Sequence, residues 1–226
     1  MIMLKKMMTK FNTLIFDFDY TLADSSEAVI ECVNYALRSM GLPPQSEYEI
    51  KKTIGKSLPD TFASFCGHDC ARTAAEFRKY FREKADEVMT KKTRIFEYVP
   101  EVIRLLHESH YRLAIVSTKF HYRIDSILER ENIAEFFDII VGGEDVSLNK
   151  PHPEGLLKAL ELLHAEKKKT LYIGDSVVDA QTGESAGVAF LAVLSGVTGK
   201  EPFAAYSHVG IISDLREIDG FLKLLV

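Results

Sequence analysis

Cysteine is scarce in this chain, three in 226 residues. An odd number that small makes no disulfide framework, and a reducing compartment is the simpler setting. An excess of positive charge is also missing. With 28 Lys and Arg against 33 Asp and Glu the formal charge is -5, so nucleic acid, which calls for a basic face, is not an expected partner. The opening MIMLKKMMTKF has no sustained apolar run, because Lys5, Lys6 and Lys10 interrupt it, and no small-residue cleavage site follows before the first strand. Neither a secretion signal nor a membrane partner is expected, and the cytoplasm is the expected location. Repeats and low-complexity tracts are absent too. What remains, 46% apolar and 27% charged residues, describes a soluble globular protein long enough to bury a core unaided.

Short apolar runs alternate with helical stretches along the chain: Thr13–Phe16, Leu113–Val116, Ile139–Val141, Leu171–Ile173, Phe190–Leu194 and Val209–Ile212. Runs without alternating polarity suggest strands buried on both faces. The fold class expected is therefore α/β, a Rossmann-like parallel sheet with helices on both sides. One segment breaks the alternation. From Ser25 to about Arg94 no strand is evident, while helix signals recur. Glu27–Met40 closes on Gly41, Ser46-x-x-Glu49 is a capping-box pattern, and Phe77, Tyr80, Phe81, Ala85 and Val88 fall at helical steps within Asp69 to Lys92. A helical module of roughly 70 residues is thus expected as an insertion after the first strand. Lys167-Lys168-Lys169 reads as a solvated turn before the Leu171 strand.

The chemistry gathers at strand ends, where open α/β sheets bind ligands. Asp17-Phe-Asp19-Tyr-Thr21 stands where the first strand runs out, and Gly174-Asp175-Ser176 with Asp179 follows the Leu171–Ile173 strand. Each alone has a plainer reading, as an Asp-rich turn or a helix cap. Together they would bring Asp17, Asp19, Asp175 and Asp179 to one rim. Like charges about 5 Å apart repel by roughly 3 kcal/mol per pair at an effective dielectric near 20. Four such groups need a cation, and an all-carboxylate set without convergent His or Cys favours Mg2+ over zinc. Mg2+ held by few carboxylates shares its remaining positions with water and substrate phosphate, which implicates a small phosphorylated metabolite. Ser117-Thr118-Lys119 and Lys150-Pro151-His152-Pro153 stand at two further strand ends. They supply a hydroxyl and ammonium groups that suit phosphoryl oxygens.

The set Asp17-x-Asp19-x-Thr21, Ser117, Lys150 and Gly174-Asp175-Ser176-x-x-Asp179-x-x-x-Gly183-x-x-x-Gly187, in that order, resembles the haloacid dehalogenase superfamily of aspartate-nucleophile phosphatases. The helical insertion after the first motif resembles the phosphoglycolate phosphatase subfamily, with pyrophosphatases and β-phosphoglucomutase as relatives. The resemblance implies a catalytic core of residues 1–23 and 95–226 and a helical cap of residues 24–94. It also implies Asp17 as nucleophile, Asp19 as general acid and base, and Ser117 and Lys150 as holders of the phosphoryl group. Mg2+ would be bound by Asp17, Asp175, the backbone carbonyl of Asp19 and, through water or at second hand, Asp179. Thr21, Thr118, Lys119 and Lys56 are the further candidates for substrate contact, Lys56 because Thr53–Ser57 resembles the family's specificity loop. The implied reaction is phosphoglycolate-like ester hydrolysis through an aspartyl phosphate. Phosphoglucomutase-like transfer and pyrophosphate hydrolysis are the alternatives, with the protein a monomer or homodimer. Asp19 speaks against carbon–halogen cleavage, since dehalogenating members lack that aspartate.

Two departures stand out: Tyr20 where the family usually has Gly, and Phe96-Glu97-Tyr98-Val99 where it has Tyr-Pro-Gly-Val. Other patterns are decoys. Gly55-Lys56-Ser57 ends like a phosphate-binding loop, but Ile50 stands where its first glycine is required. Cys66-Gly-His68-Asp-Cys70 offers three zinc ligands without a fourth and reads as a loop of the helical module. A receiver domain phosphorylated on Asp would be shorter and would carry adjacent carboxylates. A catalytically dead binding protein would not need the complete acid set.

Overall fold

The computed structural model describes residues 10–66 and 71–225. Strand β1 (Thr13–Phe16) is followed by a two-residue strand β2 (Ala23–Asp24) and four helices, α1 (Ser26–Ser39), α2 (Glu47–Lys51), α3 (Leu58–Cys66) and α4 (Ala71–Lys92), before β3 (Arg94–Ile95). The chain then alternates through α5 (Val99–Glu108), β4 (Arg112–Val116), α6 (His121–Arg130), β5 (Ile139–Val141), α7 (Glu154–Leu162), β6 (Thr170–Gly174), α8 (Val177–Ala186) and β7 (Ala189–Val193). It ends with β8 (Gly210–Ile212) and α9 (Ile218–Leu224).

Six strands form one parallel sheet in the order β5-β4-β1-β6-β7-β8. Both faces are covered, and successive strand residues divide between two cores. Leu14, Phe16, Leu113, Ile115, Leu171 and Ile173 pack toward α5, α6 and α9. Ile15, Ala114, Val116 and Tyr172 pack toward α7 and α8. This explains why the strands lack alternating polarity: each side chain, whichever way it points, meets apolar neighbours. With β1 central, the loops after β1, β4 and β6 emerge side by side.

The helical module has its own apolar cluster, in which Phe62 and Phe77 stack at 4.8 Å. Its ends follow local rules. The residue after the α1 cap, Gly41, takes φ 72°, and the Ser46 hydroxyl accepts from the Glu49 backbone N–H at 3.3 Å. The sequence reading lacks the ribbon of β2 and β3, which brackets the segment read as strand-free; between Ser25 and Thr93 the described residues form no strand. Ala23 pairs with Ile95 and Asp24 with Arg94. Two residues per strand are too few to create a periodic signal, yet they clamp the outgoing and returning chains together. Arg123, buried on α6, joins the module to the sheet domain through Asp86 of α4, Nη2 to Oδ1 2.5 Å. No helix among the described residues is long and apolar enough to cross a membrane. Residues 67–70, and with them most of the cysteine-histidine pattern, lie outside the described residues.

Candidate active site

Asp17 follows the last residue of β1, and its backbone N–H donates to the Ile173 carbonyl of β6 at 2.8 Å. That bond continues the ladder by one residue and fixes the carboxylate at the sheet's rim. Asp175 follows the last residue of β6. Asp179 lies in the first turn of α8, where Ser176 is the cap: its hydroxyl accepts from the Asp179 N–H, and Asp179 reaches back to the Ser176 N–H. The capping reading therefore holds for Ser176, and it aims Asp179 at the sheet end. Asp17, Asp175 and Asp179 offer ligand oxygens that all lie within 4.8 Å of one another, and all three are buried.

Lys150 enters this cluster from the loop before α7. Its Nζ lies 2.7 Å from Asp17 Oδ1 and 2.6 Å from Asp179 Oδ1. The Tyr172 hydroxyl donates to the same Asp179 oxygen at 2.8 Å. Burial pushes the Asp17 carboxyl up to about 7, with Lys150 opposing and Asp179 adding to the rise. Burial and the two neighbouring carboxylates hold Asp175 well above the usual range. Lys150 is itself buried, which favours its neutral form, but Asp17 and Asp179 outweigh that and keep it charged. Asp17 Oδ2 is buried with no hydrogen-bond partner.

The residues fit a hard divalent cation. With all three ionised, the carboxylates against one ammonium would carry two net negative charges, a state that burial opposes unless a cation joins them, and Asp17 Oδ2 stands without a partner. Asp19 does not join this cluster through its side chain. The Ser25 hydroxyl donates to its Oδ1 at 2.6 Å, and Lys119 Nζ stands 3.1 Å from the same atom. The rim expected to hold four carboxylates thus divides into a triad and a separate ion pair.

The other candidates take distinct places. Ser117 and Lys119 are buried, and the Lys119 backbone N–H donates to the Ser117 hydroxyl at 3.3 Å. Thr21 is wholly buried, and its hydroxyl has no partner. Thr118, Lys119, Lys150, Asp19 and Lys56 all line a cavity of about 1040 Å³ between the sheet-end loops and the helical module. Lys56 also donates to the Ser64 hydroxyl at 3.3 Å. Tyr20 keeps the turn that glycine would make, with φ 62°. Its N–H donates to the Ala23 carbonyl at 2.6 Å and its carbonyl accepts from the Ser195 hydroxyl at 2.6 Å. These two bonds hold a left-handed conformation that a bulky residue disfavours.

A scan against family models matches residues 14–193 to the haloacid dehalogenase-like hydrolases. The chain belongs to that family. Among curated proteins, pyrophosphatase PpaX of Bacillus mycoides is 31% identical over 209 residues, 92% of this chain and 95% of the relative. The PpaX of Bacillus cereus strain B4264 is 32% identical with the same coverage. Among solved structures, a haloacid dehalogenase-like hydrolase from Bacteroides fragilis superposes with a TM-score of 0.89 at 41% identity, covering 92% of this chain and all of the other. A predicted phosphoglycolate phosphatase from Haemophilus somnus gives 0.83 at 26% identity, covering 95% and 99%. Family and site together make the chain an enzyme of the phosphatase kind.

Sequence reasoning overlooked several members of this haloacid dehalogenase-like site. Ser25 stands at the cap position of α1 yet makes no cap bond; its hydroxyl is committed to Asp19. Tyr172, mid-strand in an apolar run, carries no signal. Gly196 is silent too, although a Cβ there would fall 1.9 Å from Asp175 Oδ2.

Proposed function

We propose that the chain is a Mg2+-dependent phosphatase that hydrolyses a small phosphorylated metabolite in the cytoplasm, phosphoglycolate-like in kind, through an aspartyl phosphate on Asp17. The observation that carries this reading is Asp17 itself: buried at the strand end, one oxygen on Lys150 and the other without a partner. In the first step an Asp17 carboxylate oxygen attacks phosphorus in line, and the bond from phosphorus to the leaving oxygen breaks. Asp19 gives that oxygen a proton, then takes one from the water that cleaves the aspartyl phosphate. Ser25 and Lys119 set the direction in which Asp19 faces.

Lys150 and Ser117 would hold the transferring phosphoryl group, with Thr118, Lys119 and Lys56 lining the same cavity as Lys150. Thr21, wholly buried, would support the nucleophile loop from beneath. Mg2+ would be held by Asp17, Asp175 and the Asp19 backbone carbonyl, with Asp179, whose oxygens are taken by Lys150, Tyr172 and Ser176, acting through water. When bound, the cation supplies charge neutralisation between the carboxylates and the phosphate oxygens. Residues 24–94 would act as a cap over this site.

Pyrophosphate hydrolysis is the second reading, favoured by the PpaX relatives. A panel of phosphorylated metabolites, including 2-phosphoglycolate, pyrophosphate and hexose phosphates, assayed with and without Mg2+, separates the two. Mg2+-dependent phosphate release from a monoester supports the first reading, and selective cleavage of pyrophosphate the second. Isomerised sugar phosphate without phosphate release would overturn both in favour of a phosphotransferase.

A further inference from the structure

The cavity above the phosphoryl site is large and unevenly charged. At about 1040 Å³ it lies at the upper end of sites that enclose whole organic ligands, far beyond what a phosphate group occupies. Six Lys or Arg residues line it, and three of them are neutralised nearby: Lys150 by Asp17 and Asp179, Lys119 by Asp19, and Arg123 by Asp86. Among the described residues, no carboxylate comes within ion-pair distance of Lys56, Arg78 or Arg82.

Arg78 and Arg82 stand one turn apart on α4, so two like charges share one helix face at a cost to the helix. Arg82 also lies over the Phe120 ring, 4.6 Å from its centroid, and Arg123 lies over the same ring at 5.1 Å. Desolvation, with the nearby charges of Arg78 and Arg123, pulls the Arg82 guanidinium below its ordinary value. Three guanidiniums crowded at a cavity wall, with Asp86 paired to Arg123 and Glu144 a more distant influence on Arg82, form an arrangement that an anionic group would relieve.

We propose that Arg78 and Arg82, with Phe120 as their platform, form a second anion subsite. It would select phosphomonoesters whose leaving group ends in a carboxylate or phosphate several atoms from the scissile bond. This rests on the phosphatase reading above and narrows its substrate class. A neutral leaving group would leave the cationic wall uncompensated, and pyrophosphate would leave most of the cavity to water.

The test uses alkyl phosphates of increasing length, each beside its counterpart ending in a carboxylate and its counterpart ending in a phosphate. The readout is the ratio of kcat/KM, anionic over neutral, at each length. Wild type is expected to show a ratio of at least tenfold at its best length, carried by KM. The Arg78→Ala/Arg82→Ala double variant is expected to bring it within threefold of unity, and Arg82→Lys to keep most of it. Whichever anionic series gives the larger ratio identifies the terminal group. A wild-type ratio near unity, or one that the double variant leaves unchanged, overturns the subsite while phosphate release from the neutral series upholds the phosphatase reading. No release from any member overturns both.

Discussion

Replacing Gly196 by alanine is expected to disable the site without altering a reacting side chain. An ideal Cβ at this position falls 1.9 Å from Asp175 Oδ2, 2.8 Å from its Cγ and 3.1 Å from Tyr20 Cβ. Ordinary contact begins near 3.4 Å, so the Asp175 oxygen must retreat by about 1.5 Å, the difference between 3.4 and 1.9. The Ser195 hydroxyl ties the same loop to the Tyr20 carbonyl at 2.6 Å, which resists a backward shift of the backbone. A misplacement of about 1 Å at a reacting centre lowers rates by about 100-fold, and overpacking costs about 1–3 kcal/mol of stability. Gly196→Ala should therefore lower kcat about 100-fold and raise the Mg2+ concentration needed for half-maximal rate. Gly220→Ala is the control, because its Cβ meets nothing within 4 Å and the residue lies inside α9. That variant should keep kcat and gain up to about 1 kcal/mol in urea denaturation. Retention of more than a third of kcat by Gly196→Ala, with unchanged Mg2+ dependence, refutes the claim that the missing Cβ positions Asp175.

Three other perturbations follow from the same geometry. Lys150→Ala strips Asp17 and Asp179 of their shared cation and should destabilise the fold by about 3–5 kcal/mol in denaturant titrations, with loss of turnover. An unchanged midpoint would mean the buried carboxylates do not depend on it. Mg2+ at 100 times its dissociation constant should raise stability by about 2.7 kcal/mol, visible as a higher melting temperature that a chelator reverses. No shift would contradict the cation site. A double-mutant cycle on Arg123 and Asp86 should give a coupling of about 1 kcal/mol or less, since Asp86 is more than half exposed. Arg123→Ala alone should cost more, because Arg123 also lies against the Phe120 and Tyr122 rings.

The central strands were legible because burial on both faces forces continuous apolar runs, as in Thr13–Phe16. Asp17 and Asp175 were legible only together: each alone also reads as a turn or a cap, but carboxylates gathered at neighbouring strand ends repel one another unless a ligand joins them. Asp179 was ambiguous in sequence for a physical reason: it serves the α8 capping box and the carboxylate cluster at once. Asp19 could not be separated from the cluster by spacing, because its direction is set by Ser25 and Lys119, six and 100 residues away. The β2–β3 ribbon is shorter than any period. Tyr20 hid its turn because a tyrosine at φ 62° is held there by Ala23 and Ser195 rather than by its own preference. Arg78 and Arg82 read as the polar face of an amphipathic helix; only the packing of α4 against α1, α3 and α6 turns that face toward a cavity.

Every later step of the proposed reaction depends on Asp17 as nucleophile, and Asp17→Asn assayed with Mg2+ tests that role most directly. Phosphate release should disappear, no phosphorylated protein should be trapped on acid quench, and the circular dichroism spectrum should match wild type. Mg2+-dependent turnover by the folded variant would contradict the assignment.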